Sequence, residues 1–151
     1  MLDQLTIREA GPPDLDAMNA LMHASSAYHG AYYRIIENVR LSGTYLAGSK
    51  VFVCVRAAET LGFYSLILDD HADLDLMFVA DVAQRLGVGR ALFDHMKALA
   101  RANGYDSVEI GAHPPAVGFY QRMGAVVCGV SAPIEGVTWE RPLLKLSLAE
   151  A

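Results

Sequence analysis

The chain has 151 residues, 53% of them apolar and 19% charged, with a formal net charge of −5. That length suits a single compact domain over residues 1–151, and no apolar run approaches the roughly 18 uncharged residues of a membrane span. The acidic start Met1-Leu2-Asp3-Gln4-Leu5 lacks the basic and then apolar pattern of a secretory signal, so cytoplasmic residence without membrane contact is expected. No Lys/Arg cluster interrupts the negative balance, which argues against nucleic acid as a partner and makes a cationic amine the more natural guest. Neither cysteine belongs to a CxxC or Cys/His group, so no metal site is expected. Cys54 and Cys128, both in apolar runs, read as buried packing residues.

Helical and strand patterns alternate along the whole chain, which indicates an α/β or α+β domain. Residues 5–9 read as a strand. Pro12-Pro13-Asp14 then opens a helix with an apolar stripe of Leu15, Met18 and Met22, and Asp14 and Asp16 suit its positive end. A second helix is expected through Ile36, Val39 and Arg40, stopping near Gly43. Between the two lies the aromatic segment Tyr28-His29-Gly30-Ala31-Tyr32-Tyr33. Strands at residues 51–55 and 61–68 form a hairpin, and a fourth strand covers residues 73–79. A long helix starts near Leu86, with Val88, Leu92, Met96 and Leu99 on one face, and ends at Asn103-Gly104. Residues 107–112 form a further strand, Pro114-Pro115 starts a short helix closed by Gly124, and residues 125–130 and 142–148 give two closing strands.

The most informative stretch runs from Val79 through Gln84 and Arg85 to Gly87, Val88, Gly89 and Arg90, where a strand passes through a glycine-marked turn into the long helix. Free NH groups of a first helical turn carry roughly half a positive charge, and glycines let a ligand approach the main chain, so the segment suits a pyrophosphate. A Rossmann fingerprint fails because Leu92 stands where the third glycine belongs, and no GxxxxGK string exists for a P-loop.

Here the chain resembles the GNAT superfamily, whose cofactor signature is a strand ending in Val, five residues on to Gln or Arg, then two further residues and Gly-x-Gly/Ala. Val79, Gln84, Gly87 and Gly89 match it, and Phe119-Tyr120-Gln121-Arg122-Met123-Gly124 matches the family's second signature downstream. The resemblance implies one mixed, mostly antiparallel sheet of about seven strands flanked by about four helices and splayed between strands 4 and 5. It also implies acetyl-CoA as co-substrate and transfer of its acetyl group to an amine by direct attack. Main-chain groups of Met77, Phe78 and Val79 would pair with pantetheine, with an NH of Phe78 or Val79 polarising the thioester carbonyl. NH groups from Gln84 through Leu86 to Arg90 would hold the pyrophosphate, and Arg85 and Arg90 would add charge. Tyr120 matches the tyrosine that protonates the departing thiolate, the alternative being a helix residue whose ring caps the core.

A lysine-like amine must first lose a proton, at a cost of roughly 4 kcal/mol at neutral pH, so a base is expected. Asp73 stands where many family members carry a glutamate, and Asp75 follows on the same strand face. Either could act through water, or both could simply attract a cation. His113 replaces a common asparagine, and it could contact the cofactor, act as a base near its ordinary pKa, or merely end its strand. Tyr28, Tyr32 and Tyr33 fall in the family's acceptor region, where they could line a wall or pack beneath a loop. The apolar strand Leu143-Leu144-Lys145-Leu146 offers an edge for a homodimer. A non-catalytic acyl-CoA-binding module is the alternative function, and the acceptor itself is not legible.

Overall fold

The structure is a computed structural model that describes residues 4–25, 39–131 and 140–149. Its strands are β1 (Thr6–Glu9), β2 (Lys50–Arg56), β3 (Glu59–Leu68), β4 (Ala72–Val79), β5 (Ser107–Gly111), β6 (Val126–Ser131) and β7 (Arg141–Ser147). The helices are α1 (Leu15–His23), α2 (Gly43–Gly48), α3 (Val88–Ala102) and α4 (Val117–Arg122). The strands form one sheet in the order β1-β2-β3-β4-β5-β7-β6, antiparallel throughout except for the parallel β4–β5 pair.

Alternation along the strands loads both faces of the sheet. Phe63 and Phe78 join Met18, Met22, Val51 and Val53 in a layer beneath α1, while Tyr64 and Leu74 join Leu92, Phe93 and Met96 beneath α3. In α3, Val88, Leu92, Phe93, Met96 and Ala100 are buried and Asp94 and Arg101 are exposed, as the 3.6-residue period requires. His95, on the flank of that stripe, has its Nδ1 2.7 Å from the Tyr64 hydroxyl. Gly62 permits the close seating of α3: a Cβ there would lie 2.8 Å from the Phe78 carbonyl oxygen and 3.0 Å from Val88 and Leu92 side-chain carbons.

Ahead of α1, Asp14 accepts from the Gly11 amide at 2.8 Å and from both terminal nitrogens of Arg8 at 2.9 Å. This pairing holds the Asp14 carboxyl below its ordinary pKa, the Arg8 hydrogen bond being the largest cause.

Three expectations are corrected. Ile36 lies outside the described residues, but residues 39–42 are not helical, and a helix begins at Gly43 rather than stopping there. The Asn19 side chain takes both the amide of Leu41 (2.8 Å) and its carbonyl (3.1 Å), which removes them from a helical ladder, and Ser42 then caps α2 through the Tyr45 amide at 3.2 Å. Cys54 is buried, but Cys128 is exposed, because β6 is the last strand of the sheet and is exposed along nearly all its length. Leu143, Leu144 and Lys145 pair with β5 on one side and β6 on the other, so β7 is an interior strand and offers no free edge.

Candidate functional site

The site is organised by what happens to β4 midway along its length. Ser65 faces Leu76 and Leu66 faces Leu74, which leaves Asp75 as the extra residue of a β-bulge. The parallel pairing with β5 covers only Ala72, Asp73 and Leu74, against Val108, Glu109 and Ile110, and beyond the bulge Leu76, Met77, Phe78 and Val79 have partners on β3 alone. The Ala80 amide bonds to the Leu61 carbonyl at 2.9 Å. By antiparallel alternation, Phe78 therefore exchanges its main-chain bonds with Phe63, while the NH and CO groups of Met77 and Val79 point away from β3.

Those groups face a cleft of about 460 Å³. Every residue expected to meet the cofactor lines it except Leu86, which is exposed. In the turn after β4, the Gln84 and Leu86 amides are engaged by the Asp81 and Ala83 carbonyls, each at 3.2 Å. Arg85 (φ 74°) and Gly87 (φ 80°) take left-handed backbone conformations. Intrahelical bonding starts with the Ala91 amide on the Gly87 carbonyl at 3.0 Å, so the amides of Val88, Gly89 and Arg90 form the open positive end of α3. Arg85, Arg90 and Arg122 also line the cleft, and no Asp or Glu is among its described lining residues. In a chain of net charge −5, this local excess of positive charge fits a nucleotide diphosphate.

Tyr120 reaches the same cleft from α4 and is only 8% exposed. Its ring meets Phe119 at 5.4 Å and Phe93 at 6.0 Å, which fixes its direction. Gly124 (φ 103°) ends that helical segment, and the Ala125 amide returns to the Tyr120 carbonyl at 3.0 Å. His113, at the end of β5, is 8% exposed, and burial lowers its pKa to about 4. It is neutral at pH 7, and the ordinary pKa on which a base role depended is absent.

A second cleft, of about 360 Å³, lies further back along β4 and carries Asp73, Asp75, Glu109 and Arg141. Asp75 accepts a hydrogen bond from the Tyr45 hydroxyl, which also lies 2.5 Å from the fully buried Ser65 hydroxyl. Burial, followed by the Asp75 contact, raises the Tyr45 pKa, so its phenol stays protonated and remains a donor. His71 Nε2 lies 2.8 Å from Glu109 and 3.3 Å from Asp73. Burial raises the Asp73 pKa, with Glu109, Asp75 and Asp69 adding to the shift and His71 opposing it. The ligand-bearing atoms of His71, Asp73 and Glu109 all lie within 4.8 Å of one another, an assembly that no spacing in the sequence indicated.

The two clefts share β4: Asp73, Leu74 and Asp75 line one, and Met77, Phe78 and Val79 line the other. Asp75 and Met77 are two residues apart, about 7 Å along a strand. Tyr28, Tyr32 and Tyr33 lie outside the described residues. Tyr45, Ser65, Glu109 and Arg141 were not singled out from sequence, since each reaches its cleft only through strand order and helix docking.

The family described as Acetyltransferase (GNAT) domain matches residues 20–140. No curated protein matches the chain. Among solved structures, a GCN5-related N-acetyltransferase from Rhodopseudomonas palustris superposes with a TM-score of 0.77 at 20% identity, over 97% of this chain and 98% of that one. The ribosomal-protein-S18-alanine N-acetyltransferase of Escherichia coli gives 0.75 at 18% identity, over 98% and 96%. A Salmonella typhimurium protein solved with its cofactor acetyl-CoA gives 0.74 at 19%, over 97% and 95%. At these identities the likeness carries the fold alone. The family match covers most of the sequence, and the basic cleft at the start of α3 suits the cofactor: the chain belongs to the GNAT acetyltransferase family and uses acetyl-CoA.

Proposed function

We propose that the protein is an N-acetyltransferase that moves the acetyl group of acetyl-CoA to a primary amine of a small molecule or peptide. The observation that carries this reading is the meeting, on one strand, of a basic cleft that suits a nucleotide and an acidic cleft that suits an ammonium.

Pyrophosphate sits against the amides of Val88, Gly89 and Arg90, with Arg85 and Arg90 adding charge. Pantetheine follows Met77 and Val79 as an added strand, and the Val79 NH polarises the thioester carbonyl because that of Phe78 is engaged by β3. Asp73, whose pKa is raised, takes a proton from the ammonium, directly or through water, while Asp75, held by Tyr45, orients it. The amine lone pair attacks the carbonyl carbon, the C–S bond breaks, Tyr120 gives its phenolic proton to the leaving sulfur, and the second proton lost from the nitrogen restores the Tyr120 phenol through water while Asp73 releases its own to solvent. Products are the acetamide and CoA.

Calorimetric titration with acetyl-CoA, CoA and NADH, followed by CoA release over an amine panel, tests the proposal. Wild type should bind both CoA species and not NADH. Tyr120→Phe should keep that affinity within a few-fold and lose roughly 10²-fold in kcat. Lack of CoA binding, or an unchanged rate in Tyr120→Phe, would overturn it.

A further inference from the structure

The acidic cleft holds a cation, Arg141, that has no counter-ion among the described residues. Arg141 opens β7, and its Nε is buried with no hydrogen-bond partner. The ion pairs among the described residues join Arg8 to Asp14 and Arg56 to Glu59, and His71 lies against Asp73 and Glu109, so no such contact includes Arg141. Its guanidinium lies against the main chain of β5: a Cβ on Gly111 would be 3.5 Å from Nη2 and 3.7 Å from Cζ.

The carboxylates of the same cleft are engaged elsewhere. Asp75 is held by Tyr45, and Asp73 and Glu109 are held by His71. Opposite charges thus share one cavity of about 360 Å³ without neutralising each other. An unpartnered buried donor is costly, and a guanidinium is the group best shaped to take a carboxylate through two parallel hydrogen bonds. The β4 and β7 walls are separated by β5, two strand spacings or about 10 Å. The Arg141 guanidinium lies over Gly111 of the intervening β5, so its separation from the β4 carboxylates is shorter than that span and suits one compact molecule bearing both charges rather than a long polyamine.

We infer that the acceptor is a zwitterion of the amino-acid class, whose carboxylate is held by Arg141 while its ammonium faces Asp73 and Asp75. This inference rests on the proposed N-acetyl transfer and specifies its substrate. Arg141 acts as a specificity-determining residue and takes no part in the chemical step.

The test uses the full chain with acetyl-CoA. CoA release is measured for each of the common amino acids beside its own carboxamide, with spermidine as the polyamine control, in wild type, Arg141→Gln and Arg141→Lys. At least one free acid should be acetylated with a kcat/KM some 10²-fold above its carboxamide. Arg141→Gln should raise KM for the acid, erase its advantage over the carboxamide and leave acetyl-CoA affinity within two-fold; Arg141→Lys should restore part of the preference. Equal use of acid and carboxamide, a preference that survives Arg141→Gln, or acetylation of other amines but no free acid would each overturn the inference while leaving N-acetyl transfer standing. Turnover of no amine by protein that still binds acetyl-CoA overturns the inference as well. Absence of acetyl-CoA binding removes both readings.

Discussion

The side-chain amide of Gln84 donates to the carbonyl oxygen of Val79 at 3.2 Å. The five-residue spacing that marks the cofactor signature in sequence is therefore, in space, a clamp between the end of β4 and the turn that precedes α3. It occupies the Val79 carbonyl, steadies the strand whose neighbouring groups face the cleft, and aims the turn at the amides of Val88, Gly89 and Arg90.

Gln84→Ala removes that clamp without emptying a core position. KM for acetyl-CoA should rise about 5- to 10-fold, the size of one lost hydrogen bond, with a smaller change in kcat. Steady-state CoA release at varied acetyl-CoA checks this. A fall in kcat alone would mean that the clamp serves the chemical step instead of cofactor binding.

Gly62→Ala puts a methyl group 2.8 Å from the Phe78 carbonyl and against Val88 and Leu92. The carbonyl belongs to the sheet and cannot withdraw, so α3 must lift. Urea unfolding should show a loss of about 1–3 kcal/mol, typical of overpacking. Because the start of α3 carries the amides proposed to hold the pyrophosphate, acetyl-CoA affinity should fall with it.

His113 makes stability depend on mild acid. Burial lowers its pKa to about 4, below the ordinary value of about 6.5. In that interval the unfolded chain binds the additional proton, so the contribution of His113 is complete above about pH 6.5 and is lost as pH falls toward 4. His95, also lowered by burial, adds to the same slope. Through His113 alone, unfolding free energies at pH 7.5 and 5.0 should differ by roughly 2 kcal/mol. His113→Gln should flatten the slope, and the difference between the two proteins isolates this residue from His95.

Tyr45→Phe keeps the ring packing and removes the hydroxyl that Asp75 and Ser65 share. With Asp75 no longer held, kcat/KM for the acceptor should drop roughly 10-fold, while KM for acetyl-CoA stays unchanged because Tyr45 does not line that cleft. Parallel changes in both constants would point to a general loosening of α2.

The sequence by itself determined whatever depends on near neighbours. Strand and helix periods, the Pro-opened turns and both family signatures are local patterns, and the periodic stripe of α3 and the run from Val79 to Gly89 reappear in the structure with little change. Local reading went wrong where a distant group decided the outcome. Asn19, 22 residues before Leu41, takes that residue out of any helix, and the position of β6 at the end of the sheet exposes a cysteine set among valines. Tertiary structure alone decided the composition of the acidic cleft. Asp75 is turned by a bulge opposite Ser65, met by Tyr45 from α2, and set in the same cavity as Arg141, more than sixty residues later in the chain. The physical reason is one of range: backbone propensity and side-chain period act over a turn or a strand, whereas the company a charged side chain keeps is set by which strands lie side by side.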